Sequence, residues 1–270
     1  MVMLVVKVGG RVLDLNMQAV IRDIVELYRK DEKIVLIHGG GDMVTKYSIR
    51  LGIKPRFVVS PSGVRSRYTT REELEVYIMV MAGKINKEIV SQLIALGVKA
   101  IGISGIDGSI LIAERKKRII IVDERGRKRV VEGGYTGRII KVNNELINTL
   151  LSQGYLVVVA PIAVDPMGIA LNVDADQVAF HIAKSLNAER LLILTDVEGL
   201  LINGVPVKRL NISEIENLLQ KVGAGMNRKL IYAAKLAGTK VREVIISSGL
   251  KEKPIIKALK GEGTIIVNKV

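Results

Sequence analysis

The chain has 270 residues, 49% of them hydrophobic but only 3% aromatic, with 41 Lys and Arg against 27 Asp and Glu and a formal net charge of +14. That length and apolarity suit one large α/β domain, or two lobes sharing a sheet, with a core built from Ile, Val, Leu and Ala. The absence of cysteine excludes disulfides and thiol catalysis, and no apolar run approaches the roughly 18 residues of a membrane span.

The first residues lead into a strand and carry no secretory h-region, so a cytoplasmic protein is expected. So basic a surface favours an anionic partner: nucleic acid, an anionic substrate or an acidic protein. The plain alternative is a basic enzyme with no macromolecular partner.

Met3 to Gly10 predicts a buried strand that ends in Lys7-Val8-Gly9-Gly10. A lysine at the end of an apolar strand is unusual unless it faces a polar cleft. Paired glycines let the backbone approach a ligand closely. The spacing of Val20, Ile21, Ile24, Val25 and Tyr28 predicts a helix over Leu15–Tyr28. A second strand, Lys33–Ile37, runs into His38-Gly39-Gly40-Gly41. Three glycines cost chain entropy, and at a strand-to-helix turn they expose N–H groups to an anion. No Gly-Lys-Ser/Thr follows, so this is not the Walker pattern. Asp42 is expected to cap a helix over Met43–Leu51.

Phe57 to Arg67 reads as a hairpin with a basic tip, Arg65-Ser66-Arg67. Thr70-Arg71-Glu72-Glu73 is a capping-box pattern, opening a long helix to about Leu96 that Gly83 interrupts. Its stripe of Leu74, Tyr77, Ile78, Met81 and Ile85 is expected to be core or a subunit contact. A strand over Val98–Ser104 precedes the most basic stretch. There Arg115-Lys116-Lys117-Arg118 and Arg127-Lys128-Arg129 bracket a second hairpin, read either as a solvated arm or as a landing strip for an acidic protein. Nucleic acid is disfavoured because no aromatic residues are interleaved for stacking.

A helix over Asn144–Gln153 and a strand over Leu156–Pro161 lead to Asn172-Val173-Asp174-Ala175-Asp176. Asp174 is placed to cap the helix that follows, and Asp176 to sit in its first turn, near the positive end of the dipole. Asn172 lies where a loop can present its amide. A strand over Leu191–Leu194 ends in Thr195-Asp196-Val197-Glu198-Gly199, which suits a nucleotide edge or phosphate. A short helix over Ser213–Lys221 precedes Gly223 and Gly225, then Met226-Asn227-Arg228-Lys229 opens a helix to Ala237. Lys229 falls in a first turn, where the dipole disfavours a cation, so an anion is expected beside it. Strands Val244–Ser247 and Thr264–Val267 close an alternating pattern that predicts a mostly parallel sheet covered on both faces.

Glycine cradles and lysines favour a phosphorylated ligand, while no general-base constellation is visible. A carboxylate is already ionised at neutral pH, with a reference pKa of about 4.3. Phosphoryl transfer to it needs alignment and charge neutralisation rather than proton abstraction.

Taken together, Lys7 to Gly10, His38 to Gly41, Asn172 to Asp176, Thr195-Asp196 and Gly225 to Lys229 resemble the amino acid kinase superfamily over essentially the whole chain. Within it the chain is most similar to the acetylglutamate kinase family. The resemblance implies an αβα sandwich around a mainly parallel eight-stranded sheet. Residues 1–170 would bind the acyl acceptor, and residues 171–270 would bind ATP with Mg²⁺ held mainly by the nucleotide rather than by a protein metal site. Lys7 and Lys229 would stabilise the transferring phosphoryl group and Asp176 would orient them. Gly9, Gly10, Gly40 and Gly41 would offer N–H groups along the phosphate path, with Gly40 and Gly41 also beside the acceptor. Arg67 would hold the acceptor's α-carboxylate side, with Arg65 a rival for that role. Asn172 would bind the acyl-amino part, and Thr195, Asp196 and Gly199 would line the nucleotide pocket.

Ser60-Pro61-Ser62-Gly63 with Arg65-Ser66-Arg67-Tyr68, and the Ala113 to Arg118 arm, resemble the branch that acts on aminoadipate or glutamate joined to LysW, a small acidic amino-group carrier protein of lysine and arginine biosynthesis. That branch implies a carrier-borne acceptor and a homodimer, with neither nucleic acid nor membrane as partner. An acetylglutamate kinase and a non-catalytic amino-acid sensor on the same fold are the alternatives.

Overall fold

The computed structural model describes residues 3–268. Eight strands make the central sheet, in the spatial order Arg209–Asn211, Thr264–Val267, Glu243–Ser248, Arg190–Thr195, Met3–Val8, Lys33–His38, Leu156–Ala160, Ala100–Ser104. Neighbours are parallel except for Glu243–Ser248 against Thr264–Val267. Near-continuous Ile, Val and Leu runs suit strands covered on both faces.

Side-chain alternation sorts these runs into two cores. Val5, Ile37, Val159 and Ile193 face one core, with Val178 and Ile182 of the Ala175–Ser185 helix and Leu230 of the Ala224–Ala234 helix. Leu4, Val6, Val8, Leu36 and Leu192 face the other, with Ile21 and Ile24 of the Gly10–Tyr28 helix and Leu93 of the Asn86–Ala95 helix. The expected αβα sandwich is what forms. Lys7 shares its face with Val5, so the alternation aims it at the Ala175–Ser185 helix.

Strands from before residue 170 lie on one side of the central sheet and those from after it on the other, with Met3–Val8 against Arg190–Thr195 at the seam. From Met3–Val8 the chain crosses to Lys33–His38, while Arg190–Thr195 pairs on the opposite edge. A crevice opens beyond the carboxyl ends at such a reversal, and open α/β sheets bind ligands there.

Several local expectations are corrected. The first helix begins at Gly10 rather than Leu15. It kinks at Asn16, whose amide donates to the Gly249 and Lys251 carbonyls at 2.8 Å each. The kink hides the first turns from a periodicity reading. Asp42 does not cap its helix: Gly40 is the N-cap of Gly41–Arg50, and Asp42 lies in the first turn. Gly83 lies where the winding of the long helix changes, without ending it. Met79–Ile85 winds as a π-helical stretch between Arg71–Ile78 and Asn86–Ala95, and Tyr77, Met81 and Ile85 stay buried. Ser213–Lys221 forms two 3₁₀ turns behind an Asn211–Glu214 capping box.

The two expected hairpins are one surface. Arg65–Arg67, Phe57–Val59, Arg118–Val122 and Lys128–Glu132 form a single four-stranded sheet, joined where Val59 pairs with Val122. A second small sheet, of Ala170–Asn172, Ile162–Val164, Leu111–Arg115 and Gly137–Val142, carries Asn172. Asn172 thus ends a strand rather than lying in a loop. No helix among the described residues is long and apolar enough to cross a membrane.

Candidate active site

Asp176 is the junction of the site. Asp174 caps its helix, accepting from the Asp176 and Gln177 N–H groups at 2.9 and 3.2 Å. The cap orients the first turn so that Asp176 points at the end of the Met3–Val8 strand. Lys229 Nζ donates to Asp176 Oδ2 at 2.5 Å, and Lys7 Nζ lies 2.9 Å from Oδ1. The Lys7 contact is a charge contact without hydrogen-bond alignment, since Oδ1 has no aligned donor. The three side chains are only 10, 7 and 13% exposed for Lys7, Asp176 and Lys229. Burial alone would raise the Asp176 pKa, but the two ammonium groups outweigh it and hold the carboxyl well below the usual range. Two cations on one anion leave a net positive charge, which suits an anion that bears more charge as it reacts. The anion expected beside Lys229 is therefore Asp176.

Two glycine loops meet next to this triangle. The Gly10–Tyr28 and Gly41–Arg50 helices start from Gly9 and Gly40, and neither N-terminus has a side-chain cap. A Cβ on Gly10 would lie 3.2 Å from the Gly40 nitrogen, so the loops pack backbone to backbone. The Gly9 N–H already donates to the Leu194 carbonyl at 3.0 Å. Gly9 therefore contributes closeness rather than a free donor, which narrows the role the resemblance implied for it. Gly40 has φ +148°, and a Cβ there would come within 2.1 Å of Ile85 Cδ1. Beneath it His38 is fully buried, its Nδ1 2.9 Å from the Gly39 carbonyl oxygen. Burial pushes its pKa down to about 4, which keeps the ring neutral and makes Nδ1–H the donor to that carbonyl.

A cavity of about 500 Å³ opens beside the triangle. Gly40, Gly41, Arg67 and Asn172 line it together. Phe57, Arg65, Tyr77, Lys116, Asp174, Arg228 and Tyr232 line it as well. Asn172 Nδ2 donates to Thr69 Oγ1 at 2.8 Å, tying the motif to the hairpin. Tyr77 donates to the Pro161 carbonyl at 3.1 Å, and burial raises its pKa far above the ordinary phenol value. Arg228 donates to Asp174 Oδ2 at 2.6 Å. Arg67 donates to Glu73 Oε1 at 3.0 Å, the Gly41 carbonyl at 2.9 Å and Thr45 Oγ1 at 2.5 Å. The capping box is thus half made. Thr70 accepts from the Glu73 N–H, but the Glu73 carboxylate turns to Arg67.

Thr195, Asp196 and Gly199 do not line the cavity; Thr195 follows Leu194 beside Gly9, where a Cβ on Gly9 would come within 4.0 Å of both its Cα and Lys7 Nζ. Thr195 Oγ1 donates to Asp196 Oδ1 at 3.1 Å, and Arg11 Nη1 to Oδ2 at 2.7 Å. The Arg11 hydrogen bond holds Asp196 below the usual carboxylate range. Gly199 packs on Thr264. Among the described residues no group of three His, Cys, Asp or Glu gathers where it could hold a metal ion.

Some site residues were missed. Arg11 follows the Gly9-Gly10 pair directly, and a cation at that point was the available signal. Lys116 shows in the sequence only as part of a basic run, and Arg228 only as a member of the Gly225–Lys229 motif. Glu73 was read as a cap. Tyr77 sits in an apolar stripe, and nothing local separates it from core.

The sequence matches the model of the amino acid kinase family over residues 2–248. It is 53% identical over 267 residues to a LysW-aminoadipate/LysW-glutamate kinase of Saccharolobus solfataricus, covering 98% of this chain and 100% of that protein. Among solved structures, the N-acetylglutamate synthase of Neisseria gonorrhoeae aligns with a TM-score of 0.82 at 23% identity, over all of this chain and 60% of that one. A carbamate kinase of Giardia lamblia aligns with a TM-score of 0.69 at 18% identity, over 99% of this chain and 98% of that one. The two structures share the fold.

Proposed function

The chain belongs to the amino acid kinase family, and on that premise we propose that it transfers the γ-phosphoryl group of ATP to the side-chain carboxylate of aminoadipate or glutamate carried by a LysW-type acidic protein. The observation that carries this reading is the Lys7–Asp176–Lys229 triangle at the edge of a cavity lined by cations, in a chain alike over its full length to a kinase of that name.

In the reaction a carboxylate oxygen of the acceptor forms a bond to the γ-phosphorus. The bond from that phosphorus to the bridging oxygen breaks, and ADP leaves with the electron pair. No proton need move. Lys7 and Lys229 take up charge on the transferring oxygens, and Asp176 keeps the two ammonium groups apart and aimed. Gly10, Gly40 and Gly41 let the phosphates approach the backbone, with Gly9 spacing them from Leu194. Gly40, Gly41, Asn172 and the hairpin arginines face the acceptor, in a lobe of residues 1–170. Thr195, Asp196 and Gly199 face the nucleotide, in a lobe of residues 171–270.

Magnesium fits this donor set only as a companion of the nucleotide, because Asp174, Asp176 and Asp196 each already face a cation. Bound with ATP, it would neutralise phosphate charge. We read the protein as cytoplasmic and homodimeric, as its resemblance implies.

The test is direct. The protein is incubated with ATP, Mg²⁺ and, separately, carrier-linked aminoadipate, carrier-linked glutamate and N-acetylglutamate, and the acyl phosphate is trapped with hydroxylamine. Faster hydroxamate formation from the carrier-linked acceptors is expected. Preference for N-acetylglutamate would replace this reading with an acetylglutamate kinase. No hydroxamate from any of them would point to a sensor.

A further inference from the structure

Arg11 is the second residue of the Gly10–Tyr28 helix, one step past the Gly9–Gly10 turn. Its guanidinium reaches over the seam of the sheet and donates to Asp196 Oδ2 at 2.7 Å. Asp196 follows Thr195, the last residue of the strand on the far side of that seam. The two side chains are 70 and 33% exposed, and so open an ion pair contributes little to folding. What the pair does fix is direction. Thr195 Oγ1 donates to the other oxygen of Asp196 at 3.1 Å, so both carboxylate oxygens are held.

The same first turns hold a second loop. Asn16 leaves helical geometry, with φ −146° and ψ 26°, and its amide donates to the Gly249 and Lys251 carbonyls at 2.8 Å each. An asparagine that breaks its own helix gives up part of the backbone ladder, and here it does so to donate twice to another element. The Gly249 N–H donates to the Thr195 carbonyl at 2.8 Å, and a Cβ on Gly249 would lie 2.4 Å from Val12 Cγ1. Lys251 Nζ in turn lies 3.2 Å from Glu198 Oε1. The Thr195–Gly199 loop is therefore clamped to the helix twice, by Arg11 on Asp196 and by Asn16 through Gly249 and Lys251.

Resting on the reading that Thr195, Asp196 and Gly199 face the nucleotide, we propose that Arg11 and Asn16 are positioning residues for ATP. They strap the nucleotide-side loops to the helix that starts at the Gly9–Gly10 turn. The seat of the nucleotide and the path of its phosphates then keep one spacing, which in-line transfer requires. Arg11 also covers the charge of Asp196, a carboxylate that left bare would repel an arriving triphosphate. Neither residue lines the acceptor cavity, so the effect of each falls on the nucleotide alone.

Titration calorimetry with ADP and Mg²⁺, and steady-state kinetics with carrier-linked aminoadipate, test this in the unaltered protein, Arg11→Ala, Arg11→Lys, Asn16→Ala, Asp196→Asn and the Arg11→Ala, Asp196→Asn double variant. Arg11 is exposed, so its variants should fold with little change in thermal midpoint. Arg11→Ala should raise the ADP Kd and the ATP KM by about tenfold, the low end for a hydrogen bond to a charged group, with the acceptor KM unchanged. Arg11→Lys should fall between, keeping charge but losing the fork. Asn16→Ala should move the same two constants in the same direction. In the Asp196→Asn background Arg11→Ala should add little, because the two side chains act as one unit. An unchanged ADP Kd in Arg11→Ala overturns the proposal, and so do Arg11→Ala and Asp196→Asn effects that simply multiply. Nucleotide binding that follows these changes, in a protein that phosphorylates no carboxylate, would keep the strap and sink the kinase reading. Failure of the unaltered protein to bind ADP overturns both.

Discussion

Asp176 is buried between two lysines, and that decides what its removal does. Breaking a buried ion pair by removing one partner costs about 3–5 kcal/mol, because the remaining charge is left uncompensated. Asp176→Asn should therefore lose stability as well as kcat. Had Asp176 been only a first-turn charge, a small stability change and normal turnover would follow. Lys7→Ala and Lys229→Ala should each lower kcat by about 100-fold or more, the usual effect of losing one preorganised charge donor. Near-normal turnover in both would remove the mechanism. His38 supplies a separate measurement. Its pKa is pushed down by burial to about 4 in the folded chain, against about 6.5 unfolded. The unfolded chain then binds the proton first, so the contribution of His38 is whole above pH 6.5 and is lost as pH falls toward 4. The loss amounts to roughly 3 kcal/mol. Asp176, also depressed, keeps its contribution until below about pH 4, the unfolded carboxylate value. Denaturant midpoints of His38→Gln should be flatter than those of the unaltered chain between pH 6.5 and 4. A midpoint that falls equally in both would show that other groups carry the acid sensitivity.

At the scale of elements, the glycine loops are held by what crosses them. The long Arg71–Ala95 helix brings Ile85 under Gly40, and Gly40 has a backbone conformation that L side chains rarely adopt. Gly40→Ala should cost about 1–3 kcal/mol, the range for a residue held in a sparsely populated region, and should lower turnover by displacing the loop. Gly83, in the same helix, faces open space. Gly83→Ala should instead stabilise the chain by about 0.4–1 kcal/mol. Thermal unfolding of the pair compares the two, and equal shifts would show that the Gly40 contact yields easily. The central sheet was legible because apolar runs such as Lys33–His38 and Leu156–Ala160 are long enough to show their character. Asp174 was legible because it follows the helix N-cap preference, and Lys7 because a lysine at the end of an apolar strand breaks the usual burial rule. The three-residue strands Ile162–Val164 and Ala170–Asn172 were not, since so short a run shows no period. The Arg67–Glu73 strut escaped too. A Thr-x-x-Glu pattern encodes a capping box whether or not the glutamate stays home, and only the arriving hairpin decides that.

Across the whole molecule, the excess of positive charge has a place. Arg118 and Lys128 stand exposed on the sheet that also carries Arg65 and Arg67, with Lys117 exposed in the bend just before it. Only part of that sheet is neutralised within the chain, chiefly where Arg127 and Arg129 share Asp123 at 3.1 and 2.7 Å. A surface of one sign beside the acceptor cavity repels itself unless an anionic partner meets it, and it steers such a partner in. Steered association weakens as ions screen the field, with a Debye length near 8 Å at physiological salt. The kcat/KM for a carrier-linked acceptor should therefore drop by about tenfold between low and physiological salt. Activity on N-acetylglutamate, which samples little of that surface, should depend much less on salt. Charge reversal separates steering from catalysis. Lys116 lines the cavity and is left alone, whereas Lys117, Arg118 and Lys128 do not line it. Changing those three to Glu should damage use of the carrier-linked acceptor, and should abolish its salt dependence, while largely sparing N-acetylglutamate. If the triple variant keeps both the carrier-linked rate and its salt dependence, the basic sheet is a solvated arm. The carrier would then have to be recognised at the cavity mouth alone.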